Sequence, residues 1–149
     1  MPVAGVSWDD ATAYAAWLSS ERYPGARMCT EREWERAGRG ADERVYPWGD
    51  EAHPGDDNCQ TAYPAHQNGE DAVASFPMDR SPLGVFDLGG NLAEWVTYAT
   101  DNPAANGHGS RGGDFTADPL VSRCSGRHAN QEERRSAIGI RVCISATSR

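Results

Sequence analysis

Hydrophobic positions take up helical spacing near the start of the chain. Ala11, Tyr14, Ala15 and Leu18 stand at i, i+3, i+4 and i+7, the stripe one helix face presents. Ser7 precedes them as an N-cap, and Asp9 and Asp10 fill the first turn, where the helix dipole favours acids. This predicts a helix from Ser7 to about Ser20, broken by Tyr23-Pro24-Gly25. Thr30 with Glu33 makes a capping box for a second helix to about Gly38, with Met28 placed to staple against Trp34. From Gly38 to Pro82 turn residues recur with little periodicity. A run of that length inside a compact domain is usually functional or ligand-organised. Alternation returns at Trp95-Val96-Thr97-Tyr98 and in the closing strand Ile140–Ile144. Between them lie a polar loop, Asp101 to Gly109, and a mostly polar segment, Asp114 to Ala137. The tryptophans at 8, 17, 34, 48 and 95 are expected as core and turn anchors. The expected class is α+β: two helices on short antiparallel strands, with long irregular loops.

Composition narrows the function. At 149 residues the chain fits a single domain spanning 1–149 and can bury a core. A formal charge of −8 argues against nucleic acid, which needs a basic surface, and suits cations better. No apolar run approaches the roughly 20 residues of a spanning helix, so no membrane insertion is expected. With no signal peptide visible, the expectation is a cytoplasmic domain or part of a longer protein. The cysteines at 29, 59, 124 and 143 show no C-x-x-C pair, which disfavours a zinc site and favours buried free thiols. Neither G-x-S-x-G nor a phosphate-binding G-x-x-x-x-G-K-[ST] occurs.

The chemically densest stretch runs from Gly84 to Trp95. Gly89 and Gly90 permit a tight turn, and Asp87, Asn91 and Glu94 place hard oxygens at close spacing. Oxygen ligands on a sharply turned backbone suit Ca²⁺. An Asx-turn capped by Asn91, with Glu94 solvated, accounts for the same residues.

The wording of the stretch, Gly84-Val85-Phe86-Asp87-Leu88-Gly89-Gly90-Asn91-Leu92-Ala93-Glu94-Trp95, resembles the G-L-Y-D-M-x-G-N-V-W-E-W signature of the formylglycine-generating enzyme (sulfatase-modifying factor) superfamily. Its fold is a variant of the C-type lectin fold. Pro2-Val3-Ala4-Gly5-Val6-Ser7-Trp8, Cys29 to Glu35, Tyr46-Pro47-Trp48-Gly49, Arg111-Gly112-Gly113 and Ile138-Gly139-Ile140-Arg141 recur in the family's order. The resemblance implies one structural Ca²⁺ held by side-chain oxygens of Asp87 and Glu94 and carbonyls of Gly90 and Leu92. Asn58, with Asp71, fits a second calcium loop, and ordinary turn chemistry accounts for Asp56, Asp57 and Asn58 equally well. The resemblance also implies a further N-terminal segment, core pairing of Arg127 and Arg141 with buried acids, and packing that would admit a Cys29–Cys143 bridge.

Catalytic members oxidise a cysteine in a sulfatase-type C-x-P-x-R segment with O₂ and copper. They use two cysteines that follow the R-G-G motif. Here Ala117 stands where the first belongs, and no cysteine occurs between Gly113 and Arg123. Copper(I) needs soft thiolates, so no copper is expected; a divergent oxidase using Cys124 with one other thiol is the alternative reading. A related branch binds iron through histidines of another domain. The histidines at 53, 66, 108 and 128 read instead as solvated loop residues. The same scaffold, without the cysteines, carries variable proteins of diversity-generating retroelements and sensor modules fused to bacterial signalling proteins. The resemblance thus implies a non-catalytic module recognising a protein or small molecule. Its ligand face would draw on Asp114, Phe115, Thr116, Asp118, Leu120, His128, Asn130, Gln131 and Ser136.

Overall fold

A computed structural model describes residues 1–64, 67–98, 108–130 and 134–145. His66, Gln131 and most of the polar loop expected at 101–109 lie outside them. Helix α1 spans Trp8–Glu21. Its capping box is reciprocal: the Ser7 hydroxyl accepts from Asp10 N at 3.1 Å, and Asp10 accepts from Ser7 N at 2.8 Å. The buried face is narrower than the spacing suggests. Ala11 and Ala15 are buried, whereas Tyr14 and Trp17 are about half exposed. Two alanines let the helix lie close upon Met28, Trp95, Ala93 and Ile138. The larger rings then have no room beneath it, so Trp17 is corrected from core anchor to surface residue, packed against Tyr14.

Strand β1 (Ala26–Met28) leads into α2 (Glu31–Arg39). Thr30 and Glu33 cap α2 as expected, and Glu33 also grips Arg27 with both oxygens at 2.7 Å. The expected Met28–Trp34 staple gives way to another arrangement. Met28 joins the α1 core, while Trp34 packs with Leu88 and Val96 in a second cluster. Among the described residues, none from 40 to 92 belongs to a helix or strand.

The remaining strands are β2 (Ala93–Val96), β3 (His108–Arg111), β4 (His128–Asn130), β5 (Ile138–Ile140) and β6 (Val142–Ile144). One sheet has the order β4-β3-β2-β5, with β2 antiparallel to β3 and parallel to β5. The other pairs β1 with β6. The single closing strand expected over 140–144 is therefore divided. The chain changes sheets at Arg141, whose side chain turns inward to Glu94. Next to the second sheet, Cys29 and Cys143 form a disulfide with Cα atoms 4.9 Å apart. Those two are thus not the free thiols that their scatter favours; Cys59 and Cys124 are free and buried.

Candidate functional site

The Gly84–Trp95 stretch folds as a knot of backbone turns fixed from below. Asp87 and Asn91 both adopt left-handed backbone, at φ 58° and 72°, a region Asn and Asp tolerate better than most. Asp79 is 1% exposed and accepts from Gly89 N at 3.0 Å and Gly90 N at 3.1 Å. Burial, ahead of those hydrogen bonds, pushes its carboxyl up to about 7. Gly90 is required by contact: a Cβ there would lie 2.5 Å from the Asn58 carbonyl oxygen.

Asn91 then ties this stretch to the long coil. Its amide accepts from Asp71 N at 2.9 Å and from Asn58 Nδ2 at 3.2 Å, and donates to Asp71 O at 3.2 Å. Its backbone N donates to Asn58 O at 2.8 Å. The Asx-like reading of Asn91 understated this role, because the partners lie far back in the chain.

The implied calcium ligands divide into two unlike groups. Glu94 is not solvated: it accepts from Arg141 Nε at 2.8 Å, Arg141 Nη2 at 2.7 Å and Trp34 Nε1 at 2.6 Å. Arg141 Nη2 also donates to Phe86 O at 2.9 Å. Asp87 accepts from Ala74 N at 2.8 Å, and Gly90 O from Leu92 N at 3.0 Å. A guanidinium therefore already supplies positive charge at Glu94, which makes this carboxylate the weaker candidate for a cation. Around Asn58 the fit is better. Its Oδ1 is buried without a hydrogen-bond partner among the described residues, an arrangement proteins rarely leave unanswered. The Asp71 carboxylate accepts from Tyr63 Oη nearby in the same loop, at 2.8 Å. No cluster of three His, Cys, Asp or Glu suited to a metal occurs among the described residues.

The last third is carried on an equally rigid base. Arg111 is fully buried, donates to Gly126 O at 2.5 Å and to the Glu35 carboxylate, and lies over the Trp34 ring. Gly113 cannot bear a side chain, since a Cβ would come within 2.7 Å of Gly89 O. Arg127 pairs with Glu31 at 3.0 Å and Glu35 at 3.1 Å.

Beyond Gly113, Asp114 accepts from Thr116 N and Oγ1 at 2.7 and 2.6 Å, and Asp118 caps the 3₁₀ turn Pro119–Ser122 through Leu120 N. Both acids thus hold their own turns. Thr116, Asp118, Leu120 and Ser136 are exposed, and Asp114, Phe115 and His128 are partly buried. Asn130 ends β4, and Gln131 lies outside the described residues. The solvated-loop expectation holds for the His53 side chain, which is 68% exposed. It fails for His108 and His128, which lie in β3 and β4. His108 stacks on Trp8, with ring centroids 3.8 Å apart.

A cavity of about 310 Å³ opens between Asp114, His128, Arg135 and Ser136. A larger one, about 580 Å³, has mostly aliphatic walls including Val6, Leu92 and Ile140, with the Glu94–Arg141 pair at its edge. Cys124 has no exposure and packs against Gly38; burial, first among the causes, pushes its thiol up to about 12. Asp79, Arg111 and the Asn58–Asn91 contact escaped the sequence reading. Arg111 had a local signal in the R-G-G motif and Asn91 in the Gly89-Gly90-Asn91 turn, whereas Asp79 had none.

This arrangement defines a small α+β domain of the formylglycine-generating-enzyme-like, C-type lectin-like kind. The chain belongs to the sulfatase-modifying factor family: the "Sulfatase-modifying factor enzyme 1-like domain" is matched over residues 1–146. The formylglycine-generating enzyme of Thermomonospora curvata is 39% identical over 119 residues, covering 69% of this chain and 37% of that protein. The inactive C-alpha-formylglycine-generating enzyme 2 of Mus musculus is 41% identical over 112 residues, covering 70% and 34%. The chain thus spans about a third of the length of these curated relatives. PvdO from Pseudomonas aeruginosa superposes with a TM-score of 0.79 at 26% identity, covering 95% of this chain and 61% of PvdO. Treponema denticola variable protein 1 shares the fold at a TM-score of 0.60 and 22% identity, covering 78% of this chain and 46% of its own.

Proposed function

We propose that this domain is a non-catalytic recognition module whose ligand face is the segment from Asp114 to Ala137. The observation that carries the reading is the substitution of Ala117 at the family's first catalytic cysteine, within a polar surface built on a rigid Arg111-Gly112-Gly113 base. Cys124 is a poor substitute nucleophile, since its thiol is enclosed and held protonated. Similarity to a relative named as inactive is consistent with this reading. The ligand is a protein or a small molecule, and membership of a diversity-generating retroelement would make the face a randomised one.

A structural Ca²⁺ belongs to the same proposal, with Asn58 and Asp71 as its side-chain ligands. The ion would tie the long coil to the core; Asp87 and the Gly90 and Leu92 carbonyls would complete the neighbouring turn without Glu94.

The test is a library at Thr116, Asp118 and Leu120, scored for melting temperature and for retention of a partner identified with the parent protein. Exposed substitutions are expected to change stability by about 0.5 kcal/mol or less while altering binding strongly. Substitutions that collapse the fold, or leave binding untouched, would oppose a recognition face.

A further inference from the structure

The cavity between Asp114 and Ser136 contains one group whose bonding is incomplete. His128 Nε2 is buried without a hydrogen-bond partner among the described residues. Burial lowers the ring's pKa, and a backbone hydrogen bond with Gly112 acts against that shift. In the neutral tautomer protonated on Nδ1, the unpartnered Nε2 is an acceptor. A buried acceptor without a donor is costly, so a ligand N–H or O–H placed there is favoured.

The surroundings narrow the ligand. His128 is opposite Ser110 in the β3–β4 ladder, so their side chains share one face. Asp114 and Arg135 bring opposite charges to bear on the same ring. One Asp114 oxygen holds the Thr116 turn, and a carboxylate has further lone pairs to offer. A guanidinium has five donors, so Arg135 can serve a ligand besides its protein partner. About 310 Å³ is at the small end of ligand pockets.

We propose that this cavity binds a small zwitterion of free α-amino-acid size. Its ammonium would sit between His128 Nε2 and Asp114, and its carboxylate would face Arg135 and the Ser136 hydroxyl. The inference rests on the recognition-face reading and gives that face a ligand class. It is distinct from the larger aliphatic cavity, whose polar edge is already an ion pair.

The test titrates the intact protein with each of the common amino acids, and in parallel with monosaccharides and glycerol, by calorimetry up to about 10 mM, where a Kd of about 1 mM remains measurable. At least one amino acid should bind saturably at one site and move the imidazole ¹⁵N signal of His128 Nε2. His128→Leu should weaken that binding at least tenfold, and Leu83→Ser, an exposed change outside the Asp114–Ala137 segment, should not. If His128→Leu does not fold, the Nε2 signal of the unaltered protein decides. Failure of every amino acid to bind, binding that leaves Nε2 unmoved, or selective binding of the polyols would overturn the inference. A partner whose retention still depends on Thr116, Asp118 and Leu120 would leave the wider recognition face standing, whereas its loss as well would remove both.

Discussion

Arg141 grips Glu94 through two nitrogens at 2.7 and 2.8 Å, and the pair closes the junction between the two sheets. Glu94 lies in β2, and Arg141 lies between β5 and β6. Trp34 Nε1 adds a third donor from α2. Arg141→Met would strand a buried carboxylate, for which about 3–5 kcal/mol of destabilisation is expected. Adding Glu94→Gln to it should recover part of that loss, because the two changes share one interaction. Urea unfolding of the two single variants and the double variant measures this. Simple additivity would show that the pair is not coupled.

The Cys29–Cys143 bridge spans 114 residues and ties α2's entrance to the last strand. Opening it should cost about 2–5 kcal/mol. Cys143→Ser should lower the melting temperature, and reductant should then have no additional effect on that variant. An unchanged melting temperature in Cys143→Ser would rule out a stabilising bridge.

Much of the frame is legible in the sequence because its causes are local. Ser7 with Asp10 and Thr30 with Glu33 fix both helix starts within a few residues. The Gly-rich motifs mark turns that no side chain could enter. What stayed hidden depends on partners far apart. Asn91 finds Asn58 and Arg141 divides a strand to reach Glu94, while the Cys29–Cys143 bridge is admitted by the family resemblance and not by the cysteine spacing. Tyr14 fits the helical stripe, but the close approach allowed by Ala11 and Ala15 turns it outward.

Asp79 should leave a mark on the pH dependence of stability. Its carboxyl is raised from an ordinary 3.8 to about 7, so the folded state holds the proton more tightly. This contribution is fully present below 3.8 and is lost as pH rises through about 7. Glu33 acts with the opposite sign: held down to about 2 chiefly by its hydrogen bonds with Arg27, it contributes above 4.5 and loses that contribution on acidification. Asp79→Asn should therefore flatten the stability curve between about pH 4 and 7 and spare the acid limb. Parallel curves for parent and variant would contradict a proton on Asp79.

Calcium should raise the melting temperature, by about 2.7 kcal/mol of stabilisation at a hundredfold excess over Kd. The difference between calcium and chelator should persist in Glu94→Gln, whose carboxylate Arg141 already occupies, and vanish in Asp71→Asn. The reverse pattern would return the ion to the 87–94 turn, and no difference in the parent protein would remove it.

At the centre of the proposal is a domain that does not oxidise cysteine. Mass spectrometry of a C-x-P-x-R peptide incubated with the protein, Cu(I) and O₂ tests it most directly. With Ala117 in place of a thiolate and Cys124 sealed in the core, the peptide should keep its cysteine, with no aldehyde formed above the protein-free control. Aldehyde that appears with the parent protein and disappears with Cys124→Ser would contradict the account.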